Sequence, residues 1–209
     1  MKTRSLWQDT KTFFPLFSAE LERRRVKTVC VVGASDGKFV IPLAEHGYRV
    51  LAIERDPQAV HGGPVTLPGH VPGDMLGLRR RLDIERVAAN VDIIEADLLE
   101  QDVLPTCDAV WTSCSWHYSV NHRRPLADFI GRLHALCAPT GILGAEYMMP
   151  VRTRHTTIEH YLEKGEIRRY FERWRLLWEA YTPTFVEDPH VEKLKPHIHR
   201  MGFVVAERA

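Results

Sequence analysis

The sequence predicts an α/β fold built on a parallel, doubly wound sheet. Short apolar, β-branched runs recur along the chain, at Thr28–Val32, Arg49–Ile53, Val91–Glu95, Asp108–Thr112 and Ile142–Met148. Segments with helical periodicity separate most of them, the pattern of strands that are buried on both faces beneath covering helices. The first run also ends in a turn of small residues, Gly33-Ala34-Ser35-Asp36-Gly37, that opens directly into a helical pattern.

Taken in order, residues 1–25 form a helical preamble with an apolar face from Leu6, Trp7, Phe13, Phe14, Phe17 and Leu21. After the first strand, residues 37–46 read as a helix that stops at Gly47. Residues 61–74, rich in Gly, Pro and His, read as a loop, and 75–89 as a helix. The crossover after Glu95 has room for one helical turn over 98–105, and Arg124–Ala138 is an amphipathic helix that leads through a Pro139-Thr140-Gly141 turn into the fifth strand. Helical patterns over 156–175 follow. Leu176–Tyr181 and Phe203–Ala206 read as two antiparallel edge strands about twenty residues of loop apart.

The 209 residues suit one α/β domain, and 44% hydrophobic against 26% charged is the balance of an ordinary folded protein. A formal net charge of +1 offers no electrostatic footprint for nucleic acid or an anionic membrane surface. No apolar segment is long enough to span a bilayer, and no apolar stretch follows Lys2 and Arg4. Cys30, Cys107, Cys114 and Cys137 include no C-x-x-C pair, which points to a reduced, cytoplasmic setting.

Chemistry gathers at successive strand ends. The Gly33–Gly37 turn lets a ligand approach the backbone, and the amides at the start of the next helix favour anionic groups. Glu54 ends the second strand, 21 residues after Gly33, the spacing at which a carboxylate receives ribose hydroxyls. Asp97, just past the third strand, is suited to accept from an adenine amino group. A G-x-G-x-x-G dinucleotide motif would need glycine at Ser35 and Lys38, and a G-x-x-x-x-G-K-[ST] phosphate loop is absent.

With Glu54, Asp97 and the run Trp111-Thr112-Ser113-Cys114-Ser115, this turn resembles class I, Rossmann-like S-adenosylmethionine-dependent methyltransferases over about residues 26–150. The general look is that of small stand-alone members such as the tellurite-resistance-type and thiopurine-type enzymes. The chain departs from the family in having Val31 two residues before the first glycine and Ser35 in place of the middle one. The resemblance implies a doubly wound, seven-stranded, mostly parallel sheet with an antiparallel last strand. It implies S-adenosylmethionine as cofactor, with Gly33, Ala34, Ser35, Asp36 and Gly37 at the methionine moiety, Glu54 and Arg55 at the ribose, Asp97 and Leu98 at the adenine, and Ser113, Cys114 and Ser115 beneath. It divides the chain into a lid or preamble (1–25), a cofactor-binding core (26–150), and specificity helices with a terminal strand pair (151–209). The implied reaction is methyl transfer to a small-molecule nucleophile, such as a natural product or metabolite. The alternatives are a cofactor-binding protein with a non-methylating reaction such as cyclisation, or a non-catalytic binding protein. A homodimer is compatible with all three.

His117 or Tyr118, in the segment after the fourth strand, is placed to take a proton from the acceptor; His122 is a weaker candidate. The plainer reading has Trp116 and Tyr118 covering adenine and His117 capping a helix. Trp7, Phe13 and Phe14 suit either a water-excluding lid or core packing. Glu146, Tyr147, Arg152, His155, Tyr161, Trp174 and Trp178 are the expected source of specificity for a planar or anionic acceptor. His190, His197 and His199 have, with Glu187 or Asp188, the donor types of a metal site, but a loop or hairpin role is commoner and no metal is expected. Arg23–Arg25 and Arg79–Arg81 read as solvated helix faces, not as an RNA contact.

Overall fold

A computed structural model of the chain describes residues 2–7, 12–117, 124–151 and 160–209. Helix α1 (Phe14–Arg24) carries Pro15 in its first turn, where no amide is needed, and ends at Arg25 in a left-handed conformation. Strand β1 (Thr28–Val32) sends Val29 and Val31 into a core shared with α1, and Cys30 and Val32 into a second core on the opposite face. Helix α2 (Val40–Glu45) and strand β2 (Arg49–Glu54) follow, the latter ending on a buried Glu54. The short α3 (Pro57–His61) is capped by the Asp56 carboxylate, which accepts from the Gln58 amide.

Residues 61–74 do not form the expected loop. Strands β3 (Gly63–Leu67) and β4 (Val71–Met75) pair as an antiparallel ribbon, with Leu67 covering Gly73 so closely that an added Cβ would lie 2.5 Å from its Cδ1. The prolines that argue against strand structure are tolerated because a two-stranded ribbon has outward-facing nitrogens with no partner to lose. The helix that follows is shorter than expected. It runs as α4 (Gly77–Glu85), because Met75 completes β4 and Arg86 takes a left-handed conformation.

Strand β5 (Val91–Glu95) connects to β6 (Cys107–Ser113) through a single 3-10 turn at Leu98–Glu100. Helix α5 (Leu126–Leu136) buries Phe129, Ile130 and Leu133 and leads straight into β7 (Cys137–Met148). The Pro139–Gly141 turn is absorbed into β7 as an irregularity, since Cys137 pairs with Cys107 but Ile142 with Ala109. Of the helical patterns over 156–175, residues 152–159 lie outside the described part. From 160 to 173 the backbone makes only a 3-10 turn at Glu166–Tyr170. Leu162, Ile167 and Phe171 dock in the α5-side core at spacings that do not form a helical stripe. Strands β8 (Trp174–Tyr181), β9 (Phe185–Glu187), β10 (His197–His199) and β11 (Met201–Arg208) complete the chain, with β9 and β10 paired as a second small ribbon.

The main sheet has seven strands in the order β5-β2-β1-β6-β7-β11-β8. β5, β2, β1, β6 and β7 are mutually parallel, while β11 runs antiparallel to both neighbours. The terminal strands are therefore not both edge strands. β11 lies inside the sheet because Phe203, Val204, Val205 and Ala206 are completely buried and need cover on both faces, whereas β8 leaves Trp178 45% exposed at the edge.

In the arginine runs Arg23, Arg25, Arg79 and Arg80 are exposed, as expected, while two are committed to structure. Arg24 pairs with Glu20 and Glu207, and Arg81 is buried against Asp36 at 3.0 Å. Among the described residues no helix is long and apolar enough to cross a membrane.

Helix α1 lies on the sheet through an aromatic cluster. The Phe17 and Trp111 rings are 4.8 Å apart, and Phe13 stacks on Phe203 at 4.8 Å. Gly144 makes this approach possible, since a Cβ there would meet Phe17 Cδ2 at 2.4 Å and Trp111 Cε3 at 2.9 Å. Gly144→Ala is expected to destabilise the fold by about 1–3 kcal/mol through overpacking, read from the denaturant midpoint. Arg81→Ala, which leaves the Asp36 carboxylate buried without its counter-charge, is expected to cost about 3–5 kcal/mol by the same measurement.

Candidate functional site

The carboxyl ends of β1, β2, β5 and β6 open into one cleft of about 780 Å³. Its floor is built by hydrogen bonds between strand ends. The amides of Gly33 and Ala34 both donate to the Ile53 carbonyl, at 3.0 and 3.1 Å, so the turn after β1 leans on the end of β2. Gly33 has φ +74°, and a Cβ there would sit 3.0 Å from Ser115 Cβ, so only glycine lets the turn and the β6 segment meet at this distance. The Thr112 hydroxyl closes the contact by donating to the Val32 carbonyl at 3.0 Å, and it also hydrogen-bonds Ser115.

Glu54 occupies the centre of this edge and is only 8% exposed. Its Oε2 accepts from the Ser35 amide at 2.7 Å, and its Oε1 accepts from the amides of Arg55 and Asp56 at 2.8 and 2.9 Å. Burial raises its pKa above the ordinary glutamate value, while the three amides pull the other way. Beside it, the Arg55 guanidinium donates to Asp97 Oδ2 at 3.0 Å, and Asp97 Oδ1 accepts from the Leu99 amide at 2.9 Å.

Beyond β6, Ser113 donates to Glu146 Oε2 at 2.6 Å, and the Phe13 amide donates to Glu146 Oε1 at 2.9 Å. Glu146 is buried at the far end of β7, and burial raises its pKa too, opposed by its hydrogen bonds from Ser113 and the Phe13 amide and by Lys38. The half-buried Cys114 thiol is held far above the usual thiol range by desolvation, with the Glu146 carboxylate adding to it, which disfavours the nucleophilic thiolate. His117 follows in a 3-10 turn. Its Nδ1 donates to the Cys114 carbonyl, which places the lone pair of the neutral ring on Nε2.

The cleft thus brings together most of the residues singled out in the sequence. Gly33, Ser35, Glu54, Arg55, Asp97, Leu98, Ser113, Cys114, Ser115 and His117 all line it. Ala34, Asp36 and Gly37 lie behind its wall. Ala34 is in the core, Gly37 packs on Leu78 and Ile41, and Asp36 accepts from the Ser5 hydroxyl at 2.6 Å and the Leu6 amide at 2.8 Å, fastening the N-terminal segment. That anchorage brings Trp7 to the cleft, whereas Phe13 and Phe14 are core residues. Tyr118, His122, Arg152 and His155 lie outside the described residues.

Two features of the site escaped the sequence reading. Glu146 was grouped with the specificity residues although its carboxylate joins β7 to Ser113 and to the start of α1. A buried acid at a strand end was the available signal. The second is the placement of the β9–β10 ribbon: the expected hairpin forms, but it folds over the opening and adds Glu187, His190, His197 and His199 to its wall. Burial would raise the Glu187 pKa, but the hydrogen bond from His199 and the surrounding imidazoles outweigh it and hold the carboxyl below its usual value. Nothing local in the sequence showed that this ribbon would return to the first turn.

No protein-family model matches the chain, and no curated protein matches it in sequence. Solved structures do match in fold. TehB from Haemophilus influenzae superposes with a TM-score of 0.71 at 12% identity, over 96% of this chain and 64% of that one, so the chain spans just under two thirds of TehB. The magnesium protoporphyrin IX methyltransferase ChlM from Synechocystis PCC 6803, solved with bound S-adenosylhomocysteine, gives 0.65 at 13% identity over 95% and 82%. The N-methyltransferase NodS from Bradyrhizobium japonicum WM9 gives 0.62 at 13% identity over 96% and 99%. Together with the strand order and the single reversed strand β11, these likenesses show that the chain has the class I, Rossmann-like fold of the S-adenosylmethionine-dependent methyltransferases.

Proposed function

We propose that the chain binds S-adenosylmethionine across the ends of β1, β2, β5 and β6 and transfers its methyl group to a small-molecule nucleophile. The observation that carries the reading is Glu54, a buried carboxylate held by three backbone amides at the edge of a cleft. A carboxylate has about four acceptor positions, and three are used here, which leaves capacity for a ribose hydroxyl. The glycine at Gly33 keeps the turn bare of side chain where the methionine end would lie. The residues therefore fit the cofactor. Gly33 and Ser35 would flank the methionine moiety, Glu54 and Arg55 the ribose, Asp97 and Leu98 the adenine, and Ser113 to Ser115 the underside. Asp36 and Gly37 would act from behind, by holding the turn.

When bound, the cofactor supplies an electrophilic methyl carbon. The chain's own work is to position and to exclude water. Trp7 contributes the covering surface, and the Glu54 cradle fixes the turn without rearrangement on binding. His117, with its Nδ1–H tied to the Cys114 carbonyl, is oriented to receive a proton from the acceptor on Nε2.

S-adenosylmethionine and S-adenosylhomocysteine should each bind the purified chain with micromolar affinity in calorimetry, and failure of both to bind would overturn the assignment. Glu54→Gln, which keeps shape but removes the charge, is expected to weaken both by about 1.5–3 kcal/mol. Once an acceptor is found, His117→Ala should lower kcat by about 10²–10⁴-fold with cofactor affinity unchanged. A kcat equal to wild type at every pH would remove His117 from the mechanism.

A further inference from the structure

The β9–β10 ribbon carries chemistry that the methyl-transfer reading leaves unused. Register alternation sorts its residues: Glu187 pairs with His197, and His199 lies two residues on, on the same face. The alternate pair, Val186 and Ile198, faces away and is 66% and 50% exposed. Glu187 Oε2 lies 2.8 Å from His199 Nε2 and 3.3 Å from His197 Nε2. One donor atom from each residue falls within a 4.8 Å group.

The hydrogen bonds around this group leave the His197 lone pair bare, whereas His199 Nε2–H donates to Glu187 and has to release that proton for a metal to take its place. His197 Nδ1 donates to the Lys195 carbonyl at 3.0 Å, so the neutral ring presents a bare Nε2. That Nε2 is buried and has no hydrogen-bond partner among the described residues. A ring held through Nδ1–H by a backbone carbonyl, with Nε2 turned toward a carboxylate and another imidazole, is how metal-binding histidines are oriented. His190 differs. Its Nδ1 accepts from the Glu192 amide at 3.3 Å, so the neutral ring carries its proton on Nε2, 4.0 Å from Glu187.

We propose that Glu187, His197 and His199 bind a divalent transition-metal ion of the zinc or ferrous type at the mouth of the cleft, with coordination positions left open for a small molecule. Two imidazoles and a carboxylate suit these ions, whereas magnesium and calcium prefer all-oxygen sites. Ligand atoms about 2.0–2.2 Å from one ion stand roughly 3–3.5 Å apart, so Glu187 is already near that spacing from both rings, and a group spread over 4.8 Å needs only a small adjustment of the imidazoles. The same three residues line the cleft with Gly33 and Ser115, so the open positions face its interior. The natural occupant is an oxygen- or nitrogen-donor chelate, and a hydroxyl coordinated there loses its proton to solvent more readily. As a means of holding and activating the methyl acceptor, the site rests on the methyl-transfer reading; as a metal site it does not.

The test is to titrate the chelator-treated full chain with Zn²⁺ by calorimetry, with Co²⁺ by visible absorption, and with Fe²⁺ without oxygen. A single equivalent should bind, with Co²⁺ showing the ligand-field bands of nitrogen and oxygen coordination. His197→Ala and His199→Ala should each weaken Zn²⁺ binding by about 100-fold or more, at least the loss seen when a metal ligand's outer partner is removed. His190→Ala should leave it unchanged. S-adenosylhomocysteine binding, measured on every variant, confirms folding and reads the cofactor assignment separately. Zn²⁺ uptake without S-adenosylhomocysteine binding would keep the metal site and overturn the methyl-transfer reading. No uptake by a chain that binds S-adenosylhomocysteine would overturn the metal site, as would wild-type affinity in the double variant His197→Ala with His199→Ala.

Discussion

A carboxylate taken out of water must find donors elsewhere, and at Glu54 the donors are the amides of Ser35, Arg55 and Asp56. This one requirement shapes the edge of the sheet. It draws the turn after β1 against the end of β2 and leaves both facing the cleft. The Gly33 and Ala34 amides add to it by sharing the Ile53 carbonyl, and Thr112 and Ser115 bring in β6. Three strand ends are thereby locked at fixed separations, so the cleft is formed before any ligand arrives. A site built on strand ends in this way is more rigid than one carried by loops alone.

A second buried carboxylate does similar work on the opposite side. Glu146 joins β7 to Ser113 at the end of β6 and to the Phe13 amide at the entrance of α1. The helix that covers one face of the sheet is thus fastened to the same edge that holds the cleft. Asp36 extends the principle, since it binds Ser5, Leu6 and Arg81 from behind the first turn. The N-terminal segment is therefore part of the site's support, and Trp7 reaches the cleft as a consequence.

The remaining wall is of a different kind. Where the sheet edge presents carboxylates held by amides, the β9–β10 ribbon presents a carboxylate held by imidazoles. The first arrangement suits hydroxyl and amino donors of a nucleoside, and the second suits a cation. The two meet across one cleft, so on the proposed assignments an organic cofactor and its acceptor would share a common volume.

Much of the sheet was legible because burial on both faces writes itself as short apolar runs, as at Thr28–Val32 and Asp108–Thr112. The strand-end acids and the glycine turn were legible for the same reason: each follows such a run immediately, so their place on one edge needs only local reasoning. The hairpin over Gly63–Met75 was not, because its prolines and glycines spell loop and only cross-strand pairing makes them a ribbon. The place of β11 between β7 and β8 depended on which strand needed cover on both faces, a comparison between distant segments. By itself the sequence determined the α/β class, the positions along the chain of its main parallel strands and the acids at their ends, since these follow from local periodicity. Only the tertiary structure decided that Asp36 would support the turn and that the ribbon carrying Glu187, His197 and His199 would lie above it, because those placements join segments that no local pattern relates.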